Sequence, residues 1–220
     1  MNFKMKTILY IVRHGQSKHN VLRLVQGGKN PRENTLSEKG KEQARELSQR
    51  LAKVEFDVCY SSPIYRALET SEILTKGKGL KIIEEQQLRE KNQGRFVGSS
   101  VDKHIEAYKN WDELSEDERL DYKLVPDEES QRELRNRAMN VLKKIADENM
   151  NKTILVVTHG GFMRSVFTFL EKRNFKERWR FDNCGFMKIE FSSNTFKILD
   201  TFKLKEISKE EFAGTKNEEK

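Results

Sequence analysis

Residues 9–17 of the chain read Leu9-Tyr10-Ile11-Val12-Arg13-His14-Gly15-Gln16-Ser17. The apolar run from Thr7 to Val12 is short, rich in β-branched residues and apolar on both faces, which predicts a strand in the middle of a parallel sheet covered by helices. It stops abruptly at a charged arginine and a histidine. Because ligands usually bind at loops that follow such strands, Arg13 and His14 are candidate functional residues. A surface turn with a helix cap is the alternative for these residues taken alone.

A second stretch of the chain has the same pattern. The apolar run Ile154 to Thr158 ends in His159-Gly160-Gly161, and an amphipathic helical pattern follows. If the two strands are neighbours in one sheet, His14 and His159 face each other across a single pocket. Two strand ends with a histidine and a glycine therefore predict one shared site.

These motifs, with others in the same order from residue 7 to about residue 190, resemble the histidine phosphatase superfamily, and within it the phosphatases more than the phosphoglycerate mutases. The Arg-His-Gly after the first strand is the signature of that family. The resemblance implies an α/β fold of the phosphoglycerate mutase-like type, a three-layer α/β/α sandwich with a mostly parallel central sheet. It also implies a phosphohistidine intermediate on His14 and no metal or other cofactor.

Length and composition bound the remaining possibilities. The 220 residues fit a single domain over residues 1–204, with residues 99–126 as a cover over the pocket and 205–220 as a charged tail that we expect to be disordered. Charged residues make up 35% of the chain, against a usual figure of about 25%. No apolar run approaches the roughly 20 residues of a membrane span. The first residues lead directly into a strand without a signal-peptide pattern, so we expect a cytoplasmic protein.

The charge pattern and the two cysteines argue against a nucleic-acid-binding protein and against a cysteine metal site. The formal net charge is +7, but lysine and arginine are scattered among 35 acidic residues, which favours a generally basic surface over a specific nucleic-acid site. Cys59 and Cys184 lie in apolar surroundings without metal-ligand spacing. We expect both to be buried free thiols.

Arg66 follows the motif Ser61-Ser62-Pro63, which predicts an N-cap and a proline at the first helical position. Arg66 would then lie in the first turn of a helix, where free amides and the helix dipole already favour an anion. The resemblance assigns a phosphate-binding arginine to this position. A solvent-facing helix arginine is the alternative.

Glu90 is the candidate proton donor. In the family, a leucine, one residue and a glutamate, followed by two glycines spaced like Gly94 and Gly98, mark the acid that protonates the leaving oxygen; here Leu88 precedes Glu90 at the required spacing. Without the resemblance, Glu90 would be a surface carboxylate paired with neighbouring cations. The chain departs from relatives at Val97, where they commonly have glutamate.

Other positions are assigned through the resemblance. It implies substrate contacts from Asn20, Gln26, Gly27, Gly160 and Asn183, although Asn20 could instead cap a helix or a turn. A long helix is predicted from about Glu128 to Asn149. Relatives often begin it with Gly-Glu-Ser, whereas this chain has Glu128-Glu129-Ser130.

The predicted chemistry follows from these residue types. A phosphoryl group in transfer spreads negative charge over three oxygens, so the site needs fixed positive donors, which Arg13, Arg66 and His159 would supply. His14 would attack phosphorus through a neutral ring nitrogen while its other nitrogen donates to a carbonyl, of Gly15 or a neighbour. Glu90 would protonate the leaving alkoxide and then activate water.

Three functions remain open from the sequence. They are a phosphatase for a small phosphorylated metabolite, a phosphoglycerate mutase using the same phosphohistidine, and a non-catalytic anion-binding module. Mutases carry an arginine- and tyrosine-containing stretch after the acid, which Lys91-Asn92-Gln93-Gly94-Arg95-Phe96 does not match. The phosphatase is therefore favoured.

Cations on the predicted loops suggest that the substrate is a polyanion with a second anionic group, the alternative being ordinary solubility charge. The cations expected around the pocket mouth are Lys18, Arg23, Lys29, Arg32, Arg89, Lys91 and Arg95.

Overall fold

The structure is a computed structural model that describes residues 6–29, 31–108, 110–174 and 177–208. One six-stranded sheet runs through these residues in the order β3-β2-β4-β1-β5-β6. Strands β1 to β4 are mutually parallel where they pair, and β5 and β6 add an antiparallel edge. The strands are β1 (Thr7–Arg13), β2 (Val58–Ser61), β3 (Ile82–Glu84), β4 (Thr153–Thr158), β5 (Trp179–Ser192) and β6 (Thr195–Glu206).

Helices flank this sheet and fill the connections between its strands. Three short 3₁₀ turns, at Gln86–Leu88, Gly94–Phe96 and Trp111–Glu113, complete the connections. None of the helices in the described ranges combines the length and the apolar character needed to cross a lipid bilayer. The helices are α1 (Lys18–Val21), α2 (Glu38–Arg50), α3 (Tyr65–Thr75), α4 (Val101–Ala107), α5 (Glu116–Asp121), α6 (Gln131–Glu148) and α7 (Gly160–Leu170).

Strand β1 is buried on both faces, and its alternating side chains divide the core in two. Leu9 and Ile11 join a core with residues of α6 and α7, whereas Tyr10 and Val12 join a core with residues of α2 and α3. Two helical layers therefore sandwich the sheet. This arrangement confirms the predicted three-layer α/β/α fold with a mostly parallel sheet.

The edge of the sheet that carries the site is set by the connections after β1 and β4. These strands are hydrogen-bonded neighbours, with Arg13 opposite Thr158 in register. The first long helix after β1, α2, packs on one face of the sheet, whereas the helix after β4, α7, packs on the other. Connections that leave in opposite directions open a crevice at the carboxyl ends of the strands. His14 and His159 begin these two connections.

Several boundaries differ from the sequence-based expectations. Helix α3 begins at Tyr65 with Ile64 as its N-cap, so the predicted cap at Ser62 and the predicted first position at Pro63 are wrong. Ser62 instead continues from β2 and donates its amide to Val157, 2.9 Å away, which delays the helix. Arg66 nevertheless lies in the first turn, as predicted.

The C-terminal hairpin is long because β5 and β6 pair over most of their length, with Trp179 opposite Glu206 at one end and Ser192 opposite Thr195 at the other. Strand β6 continues to Glu206, past the predicted domain boundary at residue 204, and Ile207 is buried. Residues 209–220 of the predicted tail lie outside the described residues. Cys59 and Cys184 are buried free thiols, as expected.

The N-terminus of α2 packs directly against the loop that follows β1. Ser37 Oγ caps the helix by accepting from the Gly40 amide at 3.1 Å. A Cβ at Gly40 would overlap the carbonyl of Gln16, and a Cβ at Gly15 would overlap the carbonyl of Gly40. The two backbones can approach this closely only without side chains, so this contact fixes the loop next to His14.

We predict that Gly40→Ala destabilises the protein by about 1–3 kcal/mol, because the added methyl group must push the backbones apart. Helix propensity alone would give the opposite sign, since alanine is favoured over glycine by roughly 1 kcal/mol within a helix. Urea unfolding measures the change, with Lys39→Ala at the exposed neighbouring position as the control. A stabilised Gly40→Ala variant would contradict the close packing of the two backbones.

Candidate active site

His14 lies at the carboxyl end of β1, and its ring is held from both sides. Nδ1 lies 2.7 Å from the carbonyl oxygen of Gly15, which can only accept a hydrogen bond. Nε2 accepts from Nε of Arg66 at 3.0 Å, because a guanidinium can only donate. Both contacts require the same tautomer, with the proton on Nδ1 and a lone pair on Nε2. The expected hydrogen bond to the Gly15 carbonyl is therefore present.

The main chain at His14 is fixed as tightly as the ring. The His14 amide donates to the Thr158 carbonyl of β4 at 3.0 Å. Its carbonyl accepts from Nδ2 of Asn183 on β5 at 3.0 Å. The next amide, of Gly15, donates to Thr70 Oγ1 of α3 at 3.1 Å. Three different elements thus position this one residue.

His159 faces His14 across the crevice, with the ring centroids 5.2 Å apart. Both side chains are buried, and burial is the main cause that holds the pKa of each imidazole well below the usual range; the Arg66 guanidinium is the next. Both rings are therefore neutral at pH 7. Ser62 Oγ lies 2.8 Å from Nε2 of His159.

Arg66 and Arg13 bring buried cationic donors to the same crevice. Burial lowers the pKa of Arg66 to about 10, so the guanidinium stays charged at neutral pH. Arg13 donates to the Phe181 carbonyl at 2.5 Å. Within the described residues, the buried atoms Nη1 and Nη2 of Arg66, Nε of Arg13 and Nδ1 of His159 have no hydrogen-bond partner. Buried donors without partners are rare and costly, so this arrangement favours an anionic ligand.

The side chain of Glu90 lies against the N-terminus of α7, the helix that begins directly after His159. Its carboxylate accepts from the amides of Gly161 at 3.0 Å, Phe162 at 3.1 Å and Lys91 at 2.8 Å. A Cβ at Gly161 would lie 2.5 Å from Oε1, so glycine is needed for this approach. The carboxylate therefore sits in the same crevice as both histidines.

Most of these residues line a cavity of about 570 Å³, whereas His159 is not among its lining residues. Its inner end is formed by Arg13, His14, Arg66, Glu90 and Gly160. Its outer wall comes partly from the segment predicted as a cover, which contributes Val101, His104, Ile105, Glu106, Tyr108 and Trp111. Trp179 and Phe181 of β5 also line the cavity.

The predicted substrate contacts divide into two groups. Asn20 and Gln26 line the cavity together with Gly160, whereas Gly27 and Asn183 are not among the lining residues. Asn20 also serves as a cap, since its Oδ1 accepts from the Ser17 amide at 3.0 Å. Asn183 holds the His14 carbonyl, as described above. The roles of all five in binding substrate stay predictions.

The cations predicted around the mouth are mostly elsewhere. Of the seven, only Lys91 lines the cavity; Arg23, for example, pairs with Asp102, and Arg89 donates to the Gly28 carbonyl. The cavity instead receives positive charge from cations that the sequence reasoning did not select, namely Arg164, Arg178 and Arg180. Arg164 could have been found as the single cation in the apolar helix that follows His159. Arg178 and Arg180 could not, because they flank Trp179, the first residue of β5, and no apolar alternation in the sequence marks that strand end.

Among the described residues, no group of three or more His, Cys, Asp or Glu side chains is arranged to hold a metal ion. The site is instead built from cationic and neutral nitrogen donors around a carboxylate. Such a site suits the transfer of a phosphoryl group, whose charge needs fixed donors.

Comparison with known proteins identifies relatives of this chain. The chain is 30% identical to phosphoserine phosphatase 1 of Hydrogenobacter thermophilus over 197 residues, which cover 87% of this chain and 90% of that protein. The structure superposes on Bacillus stearothermophilus YhfR with a TM-score of 0.75 and 27% identity, covering 87% and 95% of the two chains. It also resembles a phosphoglycerate mutase from Bacillus anthracis in fold, with a TM-score of 0.76 and 24% identity over 90% and 93% of the chains.

The model of the family described as histidine phosphatase superfamily (branch 1) matches residues 9–203 of this chain. These residues include both histidine motifs, Arg66 and Glu90. The match covers most of the chain and agrees with the fold and with the relatives. The chain belongs to the histidine phosphatase superfamily.

Proposed function

We propose that this protein is a histidine phosphatase that hydrolyses phosphomonoesters of small metabolites through a phosphohistidine at His14. One observation carries the proposal: a neutral His14 presents the lone pair of Nε2 next to buried Arg13, Arg66 and His159 nitrogens that have no other partner in the described residues. A phosphate group supplies the negative charge and the acceptor oxygens that these donors need.

In the first step, the phosphate displaces Arg66 from its contact with Nε2 and binds between the two arginines and His159. Nε2 of His14 attacks phosphorus, and the bond from phosphorus to the ester oxygen breaks. Glu90, which is protonated at the start of the cycle, gives its proton to that oxygen, so the product leaves as a neutral alcohol. The Gly15 carbonyl stabilises the proton on Nδ1 while the ring carries the phosphoryl group.

In the second step, Glu90 is a carboxylate and can act as a base. It takes a proton from a water molecule, which attacks phosphorus as the bond to Nε2 breaks. Inorganic phosphate leaves, His14 returns to its neutral form and Glu90 is again protonated. The same three donors stabilise the charge in both steps because the phosphoryl group stays in their reach.

The preferred substrate carries a second anionic group in addition to the phosphate. Arg164, Arg178 and Arg180 line the cavity and would provide a positive field for such a group, although Arg180 also pairs with Asp182 at 3.0 Å. The relative named above is a phosphoserine phosphatase, whose substrate carries a carboxylate. The cytoplasmic location and the lack of a specific nucleic-acid partner stay predictions from the sequence.

We predict that His14→Asn abolishes turnover, because no other side chain can offer the lone pair at this place. The wild type, quenched after brief incubation with ³²P-labelled substrate, should retain label that acid releases and base does not. His19→Asn is the matched control, since this nearby histidine lies outside the cavity lining, and it should retain both turnover and label. Label that survives acid, as in a phosphoserine, would contradict the mechanism.

The second anionic group is tested with 3-phosphoglycerate and glycerol 3-phosphate, which differ by a carboxylate in place of a hydroxymethyl group. We predict that kcat/KM favours the carboxylate by about tenfold, the usual worth of a hydrogen bond to a charged group. Arg178→Gln should lower this preference, whereas Lys18→Gln, which changes a cation away from the cavity, should leave it unchanged. Equal kcat/KM values for the two esters in the wild type would refute the second anionic group.

The same assay separates the phosphatase from a mutase. A mutase would convert 3-phosphoglycerate to its 2-phospho isomer and would be stimulated by 2,3-bisphosphoglycerate. The proposed phosphatase releases inorganic phosphate, and 2,3-bisphosphoglycerate does not stimulate it. Isomerisation that exceeds phosphate release would assign the mutase function instead.

A further inference from the structure

A buried ion pair lies on the cavity wall beside Glu90. Nζ of Lys91 lies 2.5 Å from Oε1 of Glu128, and their side chains are 6% and 0% exposed. The hydroxyl of Tyr108 donates to the same oxygen, and the Leu124 amide donates to Oε2 at 2.7 Å. Glu128 therefore has partners on both carboxylate oxygens, in a place without solvent.

Such a pair needs an explanation other than stability. Removing two charges from water is so costly that a buried ion pair is often no more stable than apolar residues of the same size. Moreover, Glu128 stands where relatives often have the glycine of Gly-Glu-Ser, and its carboxylate meets the residue directly after the candidate acid. The Lys91–Glu128 pair is therefore a feature in which this chain differs from the pattern common in its relatives, and it lies next to Glu90.

The pair connects to Glu90 through the main chain. The amide of Lys91, the residue whose side chain Glu128 holds, donates to Oε1 of Glu90. The next residue is fixed to the same segment as Glu128: the Asn92 amide donates to Oε2 of Glu129 at 3.0 Å, and the Glu129 amide donates to the Asn92 carbonyl at 2.9 Å. Glu128 thus anchors the residue that orients the Glu90 carboxylate.

The pair also connects to the cover over the cavity. Tyr108 ends α4, the helix whose residues form part of the outer wall, and its ring packs against His104 with a centroid distance of 4.9 Å. Both Tyr108 and His104 line the cavity. The Glu128 carboxylate therefore joins two parts of the cavity lining. It contacts Tyr108 at the end of α4, and it contacts Lys91, the residue after the candidate proton donor Glu90.

We propose that Lys91, Glu128 and Tyr108 form a positioning unit that holds Glu90 against the leaving-group oxygen. This inference rests on the proposed function, since it assigns these residues a role in delivering the proton of Glu90. The three residues act through Glu90 and not on phosphorus, so attack by His14 does not depend on them.

The leaving group distinguishes positioning from a purely structural role. An alkyl phosphate needs a proton on its leaving oxygen, whereas p-nitrophenyl phosphate releases a stable phenolate that needs none. A variant that misplaces Glu90 should therefore slow phosphorylation of His14 by the alkyl substrate alone. A variant that only loosens the fold or the binding site should slow both substrates.

The experiment measures the single-turnover rate of His14 phosphorylation, at saturating enzyme, with p-nitrophenyl phosphate and with the alkyl phosphate that the wild type turns over best. Glu90→Gln sets the reference and should slow the alkyl substrate by roughly 10² to 10⁴ and the aryl substrate much less. Glu128→Gln and Tyr108→Phe should slow the alkyl substrate by about 10- to 100-fold, the effect of a small misplacement, and the aryl substrate by less than about threefold. Tyr122→Phe removes a neighbouring cover hydroxyl outside this unit and should change neither rate.

Glu128→Gln leaves the Lys91 ammonium without its counter-ion and could prevent folding, so Lys91→Met/Glu128→Gln is measured beside it. This double variant removes both charges and keeps one amide oxygen, which can accept from Tyr108 or from the Leu124 amide in place of the two carboxylate oxygens. Circular dichroism and urea unfolding establish that it is folded, and the same selective loss with the alkyl substrate is expected. Equal losses with both substrates, or no loss in the folded double variant, would overturn the positioning unit.

The same data separate this inference from the proposed function. If the wild type forms no phosphohistidine, or if Glu90→Gln slows both substrates equally, the proposed function or its acid is wrong and the positioning unit is wrong with it. If the wild type and Glu90→Gln behave as predicted while the other variants show no leaving-group dependence, the phosphatase stands and only the positioning unit falls.

Discussion

The hydrogen bond between Nδ1 of His14 and the Gly15 carbonyl is the constraint on which the site depends. It places the only proton of a neutral ring on the nitrogen away from the cavity, and Nε2 keeps its lone pair. Burial and the neighbouring arginines keep the ring neutral, because a second positive charge beside Arg66 would be unfavourable. In the proposed reaction a protonated ring could not attack phosphorus. The neutral ring that the neighbouring cations favour is therefore also the form that the reaction needs.

The fold meets this requirement by joining distant parts of the chain at one sheet edge. Strands β1 and β4 lie side by side, while β5 and α3 hold the His14 carbonyl and the Gly15 amide. The close backbone contact between Gly15 and Gly40 adds α2 to this set. The same edge receives the N-terminus of α7, whose amides bind Glu90. Candidate catalytic groups far apart in sequence thus reach one crevice.

Local pattern was enough to predict strands β1 and β4, the two histidine motifs and the position of Arg66 in the first turn of α3, because each depends on short-range sequence. The cations around the mouth could not be predicted, since loop side chains take partners from distant elements, as Arg23 does with Asp102. The Lys91–Glu128 pair joins residues 37 positions apart, so it could not be predicted from the sequence for the same reason. Arg178 and Arg180 reach the cavity through the pairing of β5 with β6. No hydrophobic periodicity in the sequence indicates that this strand begins there.

The central claim is that His14 is a neutral imidazole with its proton on Nδ1 and an unprotonated Nε2 that accepts from Arg66. Two-bond ¹H–¹⁵N NMR spectra of protein labelled with ¹⁵N-histidine distinguish the two neutral tautomers and the imidazolium. Because the pKa of His14 is depressed, its neutral form should persist below the ordinary value of about 6.5. We predict the Nδ1–H tautomer at pH 7 and also after the pH is lowered past this ordinary value, with assignment by His14→Asn. An Nε2–H tautomer at neutral pH, or an imidazolium that forms near pH 6.5, would contradict the account.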